Sequence, residues 1–424
     1  MSSLLDRRIS RFYRRWHDLE AGLGHHKGLV IDFDMAPRTI ELPTTAYSSR
    51  SQAILECRAL VETAAQWLPD GPLHGDPDGP SNPAYTHAKL SGSLAYLWAL
   101  TGERLPFADY LAATMGIRPR HISRDHLSAL AGQVAQKCAE RGIAWAPSGR
   151  AAFRQELGRD DLDGFEAELR AAAVDQLARL DLLLPGLAPS DYAIQVVCVD
   201  AYWCNWIDGT VEDGVTLQVN THARNDYQKA SHIDLAAHEI AGHAAHVAAL
   251  RRSQEQGRID GSTLNLTVHA CDAFQMEGLA QVALHALAEV GPEAGPLHPD
   301  LQLTEALRGL TGARMGNAQL EVEAGRAMSD VWADLQRDLP LSGSLSTRAS
   351  LRDRSRSPLH RAYIHVYAPA RRMFMRLLDQ PVAERAPIVR ALYEEMWTPG
   401  QIERLIAGDD RDEVRRSRPA PPAP

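Results

Sequence analysis

Four side chains have the types and spacing to hold a divalent cation: His238, Glu239, His243 and Glu277. The first three lie in an Ala-rich run, 231–246, whose composition predicts a helix. Ser231 followed by Asp234 gives that helix a capping-box start. Two imidazoles on one helix face can hold zinc, and a glutamate beside the first is then placed as a general base. The spacing is one residue longer than usual. On a regular helix, histidines at i and i+4 stand about 40° apart, whereas i and i+5 stand about 140° apart, too far to share an ion. A π-bulge absorbs one inserted residue, so the spacing predicts one between Glu239 and His243, with Gly242 supplying backbone freedom.

Glu277 is an acidic residue in an otherwise apolar helical run, 34 residues beyond His243. A buried carboxylate without a partner is costly, whereas one that coordinates a cation is not. Gly278 beside it predicts the close approach of a neighbouring helix. His246, at i+3 from His243, is an alternative ligand, although a supporting or structural role weighs more. His232, ahead of the first turn, reads as a surface residue.

Helices dominate the frame that must position these groups. Apolar periodicity predicts them over about 85–100, 123–141, 165–184, 273–287, 322–335 and 363–378, with Gly142 and Pro185 as stops. The best strand is Gly214–Asn220, where Val215, Leu217 and Val219 alternate with polar neighbours; 193–199 is a weaker one. The fold class expected is mainly α with a small β-sheet. The Pro, Gly and Asp-rich segment 70–83 reads as a loop between an N-terminal helical region, 1–70, and a body, 84–415. The tail 416–424 reads as disordered. The stretch 200–213 mixes Tyr202, Trp203 and Trp206 with acids, and reads as a cleft-lining loop or as plain aromatic packing.

Composition narrows the partners. A net charge of −9 without a long basic block argues against nucleic acid and anionic membranes. No run approaches 18 apolar residues, and the Arg-rich start has no apolar stretch after it, so neither a membrane helix nor a secretory signal is expected. Five scattered cysteines without a CxxC point to a reducing cytoplasm. No feature speaks to oligomeric state.

Val219-Asn220-Thr221, His238-Glu239 with Gly242-His243, and Glu277-Gly278-Leu279-Ala280 together resemble a bacterial family catalogued as a domain of unknown function. Its members carry a Val-Asn-Thr strand, a His-Glu…Pro-Gly-His helix and a Glu-Gly-Trp-Ala helix, and are similar to the helical gluzincin carboxypeptidases and oligopeptidases. The His-Glu-x-x-Gly-His spacing is similar to that of dipeptidyl peptidase III. The resemblance covers about 214–284, a sixth of the chain, and extends weakly to 363–367. It departs in three places: no Pro precedes Gly242, the stretch between the histidines is shorter, and Leu279 stands for Trp.

The resemblance implies a helical gluzincin-like metallopeptidase architecture that binds Zn2+ through His238, His243 and Glu277. Glu239 would act as general base on metal-bound water. Tyr363, His365 and Tyr367 lie where such enzymes carry the donor for an anionic intermediate. Tyr363 and Tyr367, at i and i+4, share a helix face, and core packing weighs equally for each. The strand ending at Val219-Asn220 would be an edge that aligns an extended peptide, and the substrate a small peptide or amide. Arg361, Arg371 and Arg372 are candidates for holding a substrate carboxylate, with solvation the stronger reading for each. Two rivals stand beside this. Two histidines and a carboxylate also make the Fe2+ triad of non-haem oxygenases, although that site gives Glu239 no task. A non-catalytic relative that binds a ligand in the same cleft would account for the odd spacing.

Overall fold

The computed structural model describes residues 4–24, 29–37, 45–74, 79–159, 162–189, 191–200, 204–222, 227–292, 294–341 and 344–408. The tail 416–424 lies outside these, as do Tyr202 and Trp203.

The chain is mainly helical, and several helices start where local chemistry dictates. Ser123 accepts from the His126 amide to cap Arg124–Ala139, and Gly142 (φ 68°) turns the chain away beyond its end. Asn82 and Ser357 cap Pro83–Leu100 and Pro358–Leu378 in the same way. The helix expected at 322–335 is instead the end of Pro299–Glu323 followed by Met328–Asp338. Gly325, at φ 92°, breaks the run there.

Among the described residues, seven short strands accompany the helices: β1 (Phe33–Asp34), β2 (Gly158–Arg159), β3 (Tyr192–Val197), β4 (Asn205–Thr210), β5 (Gly214–Asn220), β6 (Tyr227–Gln228) and β7 (Asn265–Leu266). β2 and β6 form a separate pair, and the rest make a mixed sheet in the order β3-β5-β4-β1-β7. Val215, Leu217 and Val219 are buried as their alternation requires. Two expectations are corrected here. β5 is not an edge, because β3 and β4 flank it on both sides. Much of the expected loop 200–213 is a strand, β4. β1 pairs only with Gly209 and Thr210 of β4, so along 205–207 the β1 side of β4 pairs with no strand among the described residues.

The largest apolar cluster joins Phe165–Leu183, Asp272–Ala288, Pro358–Leu378 and the long helix 231–255. Two glycines set how closely they pack. A Cβ on Gly278 would fall 2.2 Å from the Phe374 ring, and one on Gly242 would fall 2.7 Å from the Ala280 Cα. Helices 231–255 and Asp272–Ala288 therefore touch almost backbone to backbone beside the histidines. A second cluster joins Leu4–Gly22 and Arg50–Ala64 to Pro83–Leu100, so residues on both sides of the 70–83 segment share one core. Among the described residues no helix is long and apolar enough to cross a membrane.

Candidate metal centre

Helix 231–255 is regular at both ends and a π-helix over Ala236–Ala244, which contains His238, Glu239 and His243. The extra residue between the histidines is absorbed as the spacing requires. Gly242 does different work from that expected, since its missing Cβ makes room for Ala280. The capping box does not form. The Ser231 hydroxyl accepts from the Gln228 amide, and Asp234 pairs with Arg308 instead. Tyr393 donates to the Ala241 carbonyl inside the π segment at 2.8 Å.

The π turn brings the two imidazoles to one face, with ring centroids 5.0 Å apart. His238, Glu239 and His243 each offer a ligand atom within 4.8 Å of the others. Glu277 reaches the same point from Asp272–Ala288. Its Oε2 lies 3.7 Å from His238 Nε2 and its Oε1 3.8 Å from His243 Nε2. These distances exceed a hydrogen bond. They fall short of about 4.2 Å, the widest separation of two atoms that each stand about 2.1 Å from one ion. Glu277 Oε2 is buried with no hydrogen-bond partner among the described residues, which suits a carboxylate set to coordinate. Two imidazole nitrogens and a carboxylate fit zinc, and equally ferrous iron.

Glu277 and His238 are held from behind, whereas His243 Nδ1 is buried with no hydrogen-bond partner among the described residues. Tyr367 donates to the Tyr363 hydroxyl (2.8 Å), which donates to Glu277 Oε1 (2.7 Å). A bond to the Ala280 carbonyl engages His238. With Nε2 turned to Glu277, that bond favours the tautomer with its lone pair on the metal side. Glu239 accepts a short hydrogen bond from the Asn205 amide on β4.

Burial dominates the electrostatics. It raises Glu239 to about 8, with Glu277 adding to the rise, and raises Glu277 to about 7 against the opposing hydroxyls of Tyr363 and Tyr367. It lowers His238 to about 3, helped by the Arg308 charge, and puts His243 well below its usual range. A divalent cation at this point would hold both carboxylates ionised and both imidazoles neutral.

Other expected residues fall elsewhere. His365 does not join the site. It points away from its tyrosine neighbours and packs edge-on against Phe107, at 5.3 Å between centroids. This follows from its place between Tyr363 and Tyr367 on one helix, which puts it on the opposite face. His246 is buried against Tyr393 and does not line the cleft. Half-buried His232 lies 3.0 Å from the Lys229 carbonyl. Arg361 is not solvated but buried, with Nε and Nη2 on the two Glu323 oxygens at 2.8 and 2.9 Å. Arg371 and Arg372 do line the cleft, as does Trp206. Sequence reasoning missed Asn205, Arg308 and the cleft-lining Asp32. The density of acids and aromatics at 200–213 was a signal for the first, and nothing local marked Arg308.

The centre opens on a cleft of about 1870 Å³. No protein-family model matches this sequence, and no curated protein matches it. Among solved structures, the chain is similar to a protein of Colwellia psychrerythraea designated a "putative lipoprotein". The two share 13% identity and superpose with a TM-score of 0.55, over 87% of this chain and 70% of that one. That likeness shows a common fold.

Proposed function

We propose that this chain is a metal-dependent hydrolase of gluzincin type that cleaves a peptide or amide bond, with zinc as its ion. The observation that carries the reading is the convergence of His238 Nε2, His243 Nε2 and the Glu277 carboxylate, with Glu239 on the same π turn. When bound, the ion supplies Lewis acidity, polarising a carbonyl and making water easier to deprotonate. Glu239 takes the proton of the attacking water. It then delivers that proton to the leaving amine, while Asn205 holds the carboxylate in one orientation. Tyr363 is committed to Glu277. Tyr367, whose hydroxyl donates to that of Tyr363, is the second phenol at the centre and the donor that can turn toward an oxyanion.

The substrate reading rests on the cleft. Along 205–207 the β1 side of β4 pairs with no strand among the described residues, and an extended peptide can add to such an edge beside Glu239. A cytoplasmic setting is favoured by five free cysteines, two of them exposed.

Metal analysis and amide-cleavage assays on the wild type and Glu239→Gln test the reading. The variant is expected to keep its zinc and lose about 10³-fold or more in turnover. Bound iron with O₂-dependent turnover would sink the hydrolase in favour of an oxygenase. A purified protein that holds no metal would leave only a ligand-binding role.

A further inference from the structure

The helix Pro358–Leu378 presents more to the cleft than its tyrosines. Tyr363, Tyr367 and Arg371 follow at intervals of four residues, about 6 Å each along the axis. Arg371 therefore stands one turn beyond Tyr367 and two beyond Tyr363, with Arg372 next to it in sequence. Arg308 faces them from Pro299–Glu323. Glu305 bridges the pair, with Oε1 2.8 Å from Arg308 Nη1 and Oε2 3.1 Å from Arg371 Nη2. Arg308 also pairs with Asp234.

Arg308 and Arg371 thus share Glu305, Arg308 also meets Asp234, and Arg372 adds a positive charge to the cleft lining. Arg371 Nε is buried with no hydrogen-bond partner among the described residues. The wall opposite is kept low, because a Cβ on Gly309 would find only Arg371 Nη1, at 4.0 Å. Asp18, Asp32, Asp34, Asp208 and Asp213 also line the cleft, Asp32 close enough to Glu239 and Glu277 to add to their electrostatics.

We propose that Arg371, with Arg308 and Arg372, forms a carboxylate-binding subsite that selects peptides carrying a carboxylate one or two residues from the cleaved bond. An extended chain advances about 3.5 Å per residue, so one helical turn corresponds to that span. Glu305 fixes the Arg371 guanidinium through Nη2 before any ligand arrives, so its charge is held in place for a carboxylate. The carboxylate is either the chain terminus or an Asp or Glu side chain. This proposal rests on the hydrolase reading for the word "cleaved", but binding alone can test the subsite.

Calorimetry on zinc-loaded Glu239→Gln protein separates the sources with four probes: Ala-Ala-Ala, its C-terminal amide, Ala-Glu-Ala amide and Ala-Gln-Ala amide. One carboxylate peptide of a pair is expected to bind about 10- to 100-fold more tightly than its neutral partner, the worth of a hydrogen-bonded charge. Preference in the first pair identifies the terminus, and in the second the side chain. Arg371→Gln added to that background should abolish the preference. Arg372→Gln, at an exposed position, should reduce it and guards against a folding defect in the first variant. Equal binding within both pairs, or a preference that survives both substitutions, overturns the subsite. Turnover of the same peptides by the wild type keeps the two readings apart. Preferential binding without cleavage retains the subsite and removes the hydrolase, and cleavage without preference does the reverse.

Discussion

The helix Asp272–Ala288 carries two buried carboxylates five residues apart, and they live in opposite environments. At its start, Asp272 meets Lys89 at 3.1 Å, and accepts from Tyr85 and from the Thr267 amide. Lys89 in turn lies on Asp272, the Asn265 carbonyl and the Tyr85 hydroxyl, three acceptors for its three hydrogens. That cluster is closed: opposite charges meet and the donors are used. Five residues on, Glu277 faces two imidazoles and a second carboxylate, with one oxygen left unbonded. Burial alone does not mark a functional site. What does is a buried set of like-minded donors aimed at one point that no side chain fills.

That contrast can be broken at either end. His238→Ala should remove the ion almost entirely, read as zinc per folded chain, while leaving the fold in place, because the residue lines a cleft rather than a core. Metal retention in that variant would undo the assignment of the ligand set. Lys89→Met should do the opposite. It strands Asp272 as a buried unpaired charge, at a cost of about 3–5 kcal/mol in denaturant unfolding. The chains that still fold should bind metal normally. If Lys89→Met changed metal affinity as much as stability, the two clusters would be one unit. Next in size is Tyr363→Phe, which removes the donor to Glu277 and should weaken metal binding about 10- to 100-fold with little change in stability.

The legible part of this molecule is what depends on angle and period. Helical geometry turns a five-residue histidine spacing into a demand for a π turn, and the alternation in β5 fixes its two faces. Both are local properties, and both are present. What depends on distant partners was hidden. Glu239 is held by Asn205, 34 residues away, and Asp234 by Arg308, 74 residues away. The second of these overrode a plausible capping box at Ser231. β4 escaped notice because Asn205, Asp208 and Gly209 are poor strand formers, and pairing with β5 outweighs that. Asp272 and Glu277 look alike in sequence, each an acid in an apolar helix. Only the presence of Lys89 across the core separates the structural one from the candidate ligand.

Glycine gives the finest version of the comparison. In a helix, Gly→Ala normally stabilises by about 0.5–1 kcal/mol, because the chain loses less entropy on folding. Gly242 should invert that sign. The added methyl would meet the Ala280 Cα at 2.7 Å, and backbone yields less readily than a side chain. Overpacking of this kind costs about 1–3 kcal/mol, and here it would also push Glu277 away from the histidines and lower metal affinity. Gly132, exposed on Arg124–Ala139 with nothing within 4 Å, should follow the rule and stabilise. Thermal unfolding and zinc titration of the two variants separate the cases. If Gly242→Ala proved as harmless as Gly132→Ala, the contact between the helices would be looser than 2.7 Å implies. Gly242 would then be serving the π turn through backbone freedom, the role its sequence position first suggested.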